Sequence, residues 1–309
     1  MLRLLLLILI ILIAVLLAYM IYKKYLASIL KVGLYSGGDD SDEIKEMFEV
    51  WKRESIIPRE LYENQPPTLE TVQKALAYYN HGGYYPITDE PYIPPEGKDP
   101  LPYMRTAYID GVKRDYLQIP GCISRDPSFH RKYAKRGNDL MLKHFKSGEP
   151  LYLSFVGNGG GKEAPMFAAM SPIFNDARDD LWYVEKNGEL TPQKSKLASG
   201  LYYSESTGKP IKCSKKVLKP SSIDVLIGGN GSAGEIITIA MKTLQRDGAP
   251  ITIRGRRTAG GTTMIGWCKL SHGGDAEYPV GHMTDAWGTD YSRGISPDVE
   301  IDNPFAHEN

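Results

Sequence analysis

Two glycine-rich turns constrain the fold of this 309-residue chain more than any other feature of its sequence. Each turn directly follows an apolar run that predicts a buried strand: GNGGGK (157–162) follows LYLSFV (151–156), and GNGSAGE (229–235) follows IDVLIG (223–228). Glycine after a strand allows positive φ angles and leaves backbone N–H groups uncovered. Such groups bind an anion, either a phosphate or the oxyanion that forms during acyl transfer.

Strand and helix patterns alternate around these turns. Apolar runs predict strands and amphipathic spacing predicts helices, in the order strand 115–119, helix 128–147, strand 151–156, strand 223–228, helix 234–246, strand 251–255 and strand 264–270. Between them, residues 182–217 are predicted to be irregular with hairpins. Alternation of this kind is typical of an α/β fold with a mainly parallel sheet.

The second turn has three interpretations from its local pattern. Residues 229–234 complete the G-x-G-x-x-G fingerprint of a Rossmann dinucleotide site, and Arg254 lies where the 2′-phosphate of NADP could bind, although no acidic ribose ligand follows. Alternatively, Ser232 is a nucleophile at the positive end of the following helix. Finally, Ser232 could simply cap that helix, with Glu235 completing an S-x-x-E capping box.

The N-terminus contains an uncharged run, Leu4–Tyr22. As a helix it would be about 28 Å long, close to the thickness of one hydrocarbon core. Lys23 and Lys24 follow it, and no cleavage site typical of a signal peptide is present. We therefore predict a single-pass membrane anchor over residues 1–24; the basic residues on its two sides do not decide which side of the membrane holds the rest of the chain.

Composition shifts along the chain predict its organisation. We expect helices over 43–53 and 68–79, followed by a Pro- and Tyr-rich stretch. The predicted segments are the anchor at 1–24, a linker at 25–42, a small helical and Pro/Tyr-rich collar at 43–109, an α/β core at 110–303 and a tail at 304–309.

Charge and cysteine content exclude several classes of protein. The chain has 37 Lys and Arg residues and 37 Asp and Glu residues, and a nucleic-acid binder needs a surplus of positive charge. Its three cysteines contain no C-x-x-C pair and are too few for a disulfide scaffold. We expect neither a nucleic-acid partner nor a metal site.

Several segments together resemble the C-terminal-processing (tail-specific) peptidases and their tricorn-core relatives, a serine peptidase family with a ClpP/crotonase-like ββα core. The resemblance covers roughly residues 110–303, in order. The segments that carry it are RDYLQIPGC (114–122), LYLSFVGNGGG (151–161), VLIGGNGSAGEIITIAMKTL (225–244), GRRTAGG (255–261) and AWGTDYSRGISPDVEID (286–302).

The resemblance implies a set of catalytic residues. Ser232 matches the nucleophile, and His81 matches a histidine base that precedes the core in the tricorn branch. Asp290 falls where that branch has a late acidic residue. The backbone N–H groups of Ala233 and of Gly160, or a neighbouring glycine, would bind the oxyanion. The implied activity is peptide-bond hydrolysis by a membrane-anchored serine peptidase that needs no metal or organic cofactor.

The sequence also departs from the family. Gly261 stands where the processing peptidases have their base lysine, and Ser154 and Val156 replace the Asp and Arg of the family's "DLR" turn. The stretch after His81 is too short for the PDZ domain that many relatives insert. These departures leave open a catalytically inactive peptide-binding module of the same fold.

Two further histidines are candidate bases, because a serine hydroxyl needs a partner whose pKa lies near 7. His272 and His282 flank a predicted Gly- and Asp-rich loop after Ser232. Asp275 or Asp285 would then orient the imidazole, in the chain order Ser, Asp, His of the α/β-hydrolases.

Overall fold

The computed structural model describes residues 41–77, 83–85, 100–109, 111–174, 180–193, 195–198, 200–204, 209–271, 275–302 and 305. The predicted anchor at 1–24 lies outside the described residues, as does nearly all of the predicted linker. Within the described part of the chain, no helix combines the length and the apolar character that crossing a membrane requires.

The secondary structure follows the predicted alternation. The described helices are Ser41–Glu54, Leu69–Ala77, Pro127–His144, Glu163–Ala169, Ser171–Phe174 and Ala233–Arg246, with a 3-10 helix at Arg59–Leu61. The described strands are β1 Gly83–Tyr85, β2 Tyr103–Ile109, β3 Val112–Gln118, β4 Pro150–Ser154, β5 Tyr183–Lys186, β6 Glu189–Pro192, β7 Ser195–Ala198, β8 Leu201–Ser204, β9 Ile211–Lys212, β10 Ser222–Ile227, β11 Ile251–Gly255, β12 Thr263–Lys269, β13 Asp275–Thr284 and β14 Val299–Glu300.

The chain divides into two compact units. The smaller unit comprises the described residues within 1–92 and 265–279, and the larger unit comprises the described residues within 93–264 and 280–309. The strands β12 and β13 therefore contribute residues to both units.

The smaller unit contains the predicted helices. The first helix among the described residues, Ser41–Glu54, begins two residues before the predicted start at residue 43. Ile44, Met47 and Trp51 recur at helical spacing and are buried, which gives the helix one apolar face. The ring of Trp51 meets that of Tyr62 edge to face at 5.5 Å.

The larger unit is built on a six-stranded sheet in the order β14-β11-β10-β4-β3-β2. All neighbouring strands run parallel except the hairpin β2–β3. The α/β fold with a mainly parallel sheet is thus confirmed. The central strands are apolar because both faces of a parallel sheet are covered, and Leu153 and Val225 pair in register with both side chains fully buried.

Two segments differ from expectation. The sheet begins with β2, seven residues before the predicted start of the core at 110, because Tyr103–Ile109 pairs along its whole length with β3. The Gly- and Asp-rich segment that contains His282 is largely the strand β13 rather than a loop. The last three residues of β13, His282–Thr284, pair with β5, so backbone pairing outweighs the turn-forming composition.

Candidate active site

The first glycine turn is fixed by its own asparagine. Asn158 is fully buried; its Nδ2 donates to the Ile119 carbonyl at 3.0 Å, and its Oδ1 accepts from the Gly160 N–H at 2.9 Å. The Asn158 carbonyl also accepts from the Gly231 N–H at 3.0 Å, which joins the first turn to the second. Buried side-chain amides that are fully bonded in this way make a loop rigid.

A second asparagine plays the same part in the second turn. The Oδ1 of buried Asn230 accepts from the Gly228 N–H at 2.9 Å, and its Nδ2 donates to the Thr238 hydroxyl at 3.0 Å. Neither Asn158 nor Asn230 is among the residues predicted for the site. The available signal was a lone asparagine within a glycine run after a buried strand, since asparagine bonds the backbone two residues away.

Ser232 has an unusual backbone. Its φ is +53° and its ψ is −128°, a region that costs a non-glycine residue about 1–3 kcal/mol. It stands at the N-cap position of the helix Ala233–Arg246, but its side chain makes no capping hydrogen bond. The serine half of the capping box is therefore absent. The side chain is partly exposed, whereas residues 233–241 behind it are buried.

Gly160 lies directly against Ser232. A Cβ built on Gly160 would stand 2.7 Å from the Ser232 Cβ and 2.8 Å from the Ala233 nitrogen, so only glycine fits there. The structure thus brings together the predicted nucleophile and both residues predicted to bind the oxyanion. The Gly160 N–H already donates to Asn158, whereas the Ala233 N–H opens a helix, where amides lack an intrahelical acceptor.

Glu235 extends the site into the protein interior. Its side chain is fully buried, and its Oε1 accepts hydrogen bonds from the Thr258 hydroxyl and, at 2.8 Å, from the Gly260 N–H. Burial raises the pKa of this carboxyl, and these hydrogen bonds oppose the rise in part. Glu235 therefore links the helix that follows Ser232 to the turn at 255–261.

Asp290 is an exposed residue in the loop after β13. Its pKa is lowered first by the hydrogen bond that its Oδ1 accepts from the Ser292 N–H at 2.8 Å, then by the Ser292 side chain, and also by the charge of His282. The structure thus places His282 close enough to Asp290 for an electrostatic interaction. His81 and His272 lie outside the described residues.

Asp285 serves the architecture of the loop. It is fully buried, and its carboxylate accepts hydrogen bonds from Arg246 at 2.8 Å, from the Tyr291 hydroxyl at 2.8 Å, and from the Thr289 N–H and hydroxyl. Burial alone would raise its pKa, but the hydrogen bonds outweigh it and leave the pKa lowered. The Asp285 carboxylate thus accepts its hydrogen bonds from groups that hold the loop carrying Asp290 and, among the described residues, not from a histidine.

The sheet topology does not favour the Rossmann interpretation. A dinucleotide binds a Rossmann sheet where the strand order reverses. Here β2, β3, β4, β10, β11 and β14 lie side by side in chain order, so the described sheet contains no such reversal.

Comparisons with known proteins agree with the predicted family. Residues 154–301 match the profile of peptidase family S41. No curated protein sequence is significantly similar to the chain.

Two solved structures share the fold over most of the chain. A lipoprotein from Streptococcus agalactiae aligns with a TM-score of 0.60 at 17% identity, over 87% of this chain and 94% of that one. A predicted peptidase from Parabacteroides merdae aligns with a TM-score of 0.51 at 15% identity, over 86% of this chain and 90% of that one. Together with the sequence match, they confirm the predicted resemblance: residues 154–301 match peptidase family S41, and the fold is one that these two structures share.

Proposed function

We propose that this chain is a membrane-anchored serine endopeptidase that uses Ser232 as nucleophile, His81 as general base and Asp290 to orient the base. One observation carries the proposal: Ser232 holds a strained positive φ at the start of a helix, its hydroxyl does not cap that helix, and Gly160 is packed against it. A serine that served only as a cap would form the capping bond and would not need this backbone.

The reaction would follow from these positions. The Ser232 Oγ attacks the scissile carbonyl carbon while His81 accepts the hydroxyl proton, and the carbonyl oxygen becomes an oxyanion beside the Ala233 N–H. His81 then gives the proton to the departing amine nitrogen as the peptide C–N bond breaks. Water hydrolyses the acyl-enzyme in the same way, and the proton returns to Ser232.

Backbone donors suit this chemistry because they are already in place before the charge develops. The Ala233 N–H is held by the helix that it begins, and the glycine turn opposite is held by Asn158. Groups fixed in advance stabilise the oxyanion without having to reorganise during the reaction. Either Gly160, by sharing its N–H, or a neighbouring glycine of that turn would be the second donor.

The proposed substrate is an extended peptide or protein segment. The two turns that form the proposed site carry no charged side chain at residues 157–161 and 228–234. Recognition of the peptide backbone therefore fits this site better than recognition of a charged group.

The test of the nucleophile uses a fluorophosphonate probe on the full chain in detergent. Ser232→Ala should abolish both labelling and peptide cleavage, whereas Ser221→Ala, which removes an exposed serine before β10, should leave both unchanged. A folded wild-type chain that is not labelled would instead indicate the inactive peptide-binding module. Cleavage that survives Ser232→Ala would refute the proposed nucleophile.

The base is tested by comparing two histidines. His81→Ala should lower kcat by at least 100-fold, since general-base catalysis contributes about 10²–10⁴. His282→Ala should lower kcat far less. The opposite ranking would assign the base to His282, which lies near Asp290.

Membrane anchoring is the remaining part of the proposal. The uncharged run Leu4–Tyr22 supports it, and the Streptococcus agalactiae protein that shares the fold is a lipoprotein. The full chain should stay with membranes during alkaline carbonate extraction. The double substitution Leu9→Arg and Ile13→Arg should release it, because each central arginine costs about 2.5–3.5 kcal/mol on insertion scales. Release of the unchanged chain would refute the anchor.

A further inference from the structure

Thr258 connects two parts of the candidate site through a single hydroxyl. The side chain is buried, and its Oγ1 donates to the Glu235 carboxylate while it accepts from the Ile295 N–H at 2.7 Å. The Thr258 N–H in turn donates to the Ile295 carbonyl at 3.1 Å. One residue is therefore bonded to the nucleophile helix on one side and to the loop after Asp290 on the other.

The turn that contains Thr258 and the loop that follows Asp290 also approach each other backbone to backbone. A Cβ built on Gly294, whose φ is +86°, would stand 2.3 Å from the Thr258 carbonyl oxygen. A Cβ built on Gly260 would stand 2.5 Å from the carbonyl oxygen of Ser292, the residue whose N–H holds Asp290. The loop that positions Asp290 is thus packed directly on the turn that contains Thr258.

On the other side, Glu235 depends on the same turn. It lies three residues after Ser232 in the first turn of the helix, and its described partners on Oε1 are Thr258 and Gly260. A buried carboxyl that loses a partner must move or change its protonation state, because a buried polar group without a hydrogen bond is unfavourable. A shift of Glu235 would therefore displace Ser232, which lies in the same helical turn.

We propose that Thr258 is a positioning residue, which sets the loop carrying Asp290 relative to Ser232. This inference rests on the proposed function, since it assigns Thr258 a role in that same site. The chemistry requires a hydroxyl: only a group that donates and accepts at once can bond both the Glu235 carboxylate and the Ile295 N–H. Thr258 itself does not take part in the bond-forming steps.

The experiment compares hydroxyl-bearing and hydroxyl-free residues of matched size in the full chain. Thr258→Val keeps the shape and removes both hydrogen bonds, so we expect kcat to fall by about 10- to 100-fold with KM changed less than about twofold, as for an interaction that orients catalytic groups rather than binds substrate. Thr258→Ser restores the hydroxyl and should recover kcat to within about threefold of wild type.

A double-mutant cycle with Asp290→Asn separates positioning from general destabilisation. If Thr258 acts by placing Asp290, the loss caused by Asp290→Asn should shrink to less than about threefold when Thr258→Val is already present. Losses that multiply independently would overturn the inference. So would a Thr258→Val chain that is less stable to urea but has unchanged kcat.

The remaining outcomes also decide between the inference and its alternatives. If Thr258→Val fails to fold, Thr258→Cys takes its place. The thiol is a weak donor and a weak acceptor, so we expect an intermediate loss of kcat, which would support the inference. An unchanged kcat would overturn it. A wild-type chain without Ser232-dependent labelling or cleavage would overturn the proposed function and this inference together. An active wild type with uncoupled variants would overturn the inference alone.

Discussion

Replacing Gly160 with alanine should slow the reaction of Ser232 by more than the loss of fold stability explains. The added Cβ would stand 2.7 Å from the Ser232 Cβ, 2.8 Å from the Ala233 nitrogen and 3.0 Å from the Gly231 carbonyl oxygen. Gly157 provides a matched control in the same turn. Its φ is also positive, at +72°, but a Cβ built there meets nothing within 4 Å.

The expected magnitudes follow from these distances. A left-handed backbone costs a non-glycine residue about 1–2 kcal/mol, and this penalty applies to both variants. Carbon atoms in contact need about 3.5 Å, so in Gly160→Ala either Ser232 or the turn must move by about 0.8 Å. Overpacking of this kind adds about 1–3 kcal/mol of destabilisation. A displacement of about 1 Å can lower a reaction rate by about 100-fold.

The assay measures the rate of fluorophosphonate labelling and, separately, the free energy of unfolding in urea. Gly157→Ala should lose about 1–2 kcal/mol of stability and keep its labelling rate within about threefold. Gly160→Ala, studied well below its unfolding transition, should label at least tenfold more slowly. If folded Gly160→Ala reacts as fast as Gly157→Ala, the contact between Gly160 and Ser232 does not control the reactivity of Ser232, and the prediction is wrong.

Two predictions concern stability and pH. Asp285→Asn should destabilise the fold by about 2–3 kcal/mol at neutral pH, because a charged acceptor of several hydrogen bonds is lost. The folded pKa of Asp285 is lowered, so its stabilisation is present above the unfolded pKa of about 3.9 and is lost as pH falls through the folded pKa. The difference in unfolding free energy between Asp285→Asn and wild type should therefore shrink in acid. A difference that stays constant with pH would contradict the lowered pKa. The pKa shift of Glu235 has the opposite sign, because burial raises its folded pKa. Its contribution to stability is therefore fully present below the unfolded pKa of about 4.3 and is lost as pH rises through the folded pKa. Urea unfolding from pH 4 to 8 should therefore favour Glu235→Gln increasingly over wild type as pH rises, and a flat difference would argue against a raised pKa.

The order of elements could be predicted because it depends on local patterns. Continuous apolar runs indicate strands buried on both faces, and β4 and β10 lie within two residues of their predicted bounds. Glycines after each strand indicated the two turns, and Ser232 stood out between them. The strand β2 was missed because its exposed tyrosines and the preceding prolines resemble a loop, whereas its pairing with β3 is a tertiary contact.

The partners within the site could not be predicted in the same way. Thr258 and Ile295 are 37 residues apart, and Asp285 meets Arg246 across 39 residues. No periodicity connects residues at such separations, because their contact depends on how the loops pack after the sheet has formed. The buried asparagine at 158 had a local signal, but its bond to Ile119 did not.

Local sequence patterns were enough to predict the α/β class, the two glycine turns and Ser232 in the second of them, since backbone propensity and hydrophobic pattern act over a few neighbouring residues. Tertiary packing is what places Gly160 on Ser232, leaves the helix after Ser232 without a side-chain cap, and lets Thr258 join that helix to the loop of Asp290. Those contacts arise from close packing between segments far apart in the chain, where a single Cβ or hydroxyl determines whether they fit.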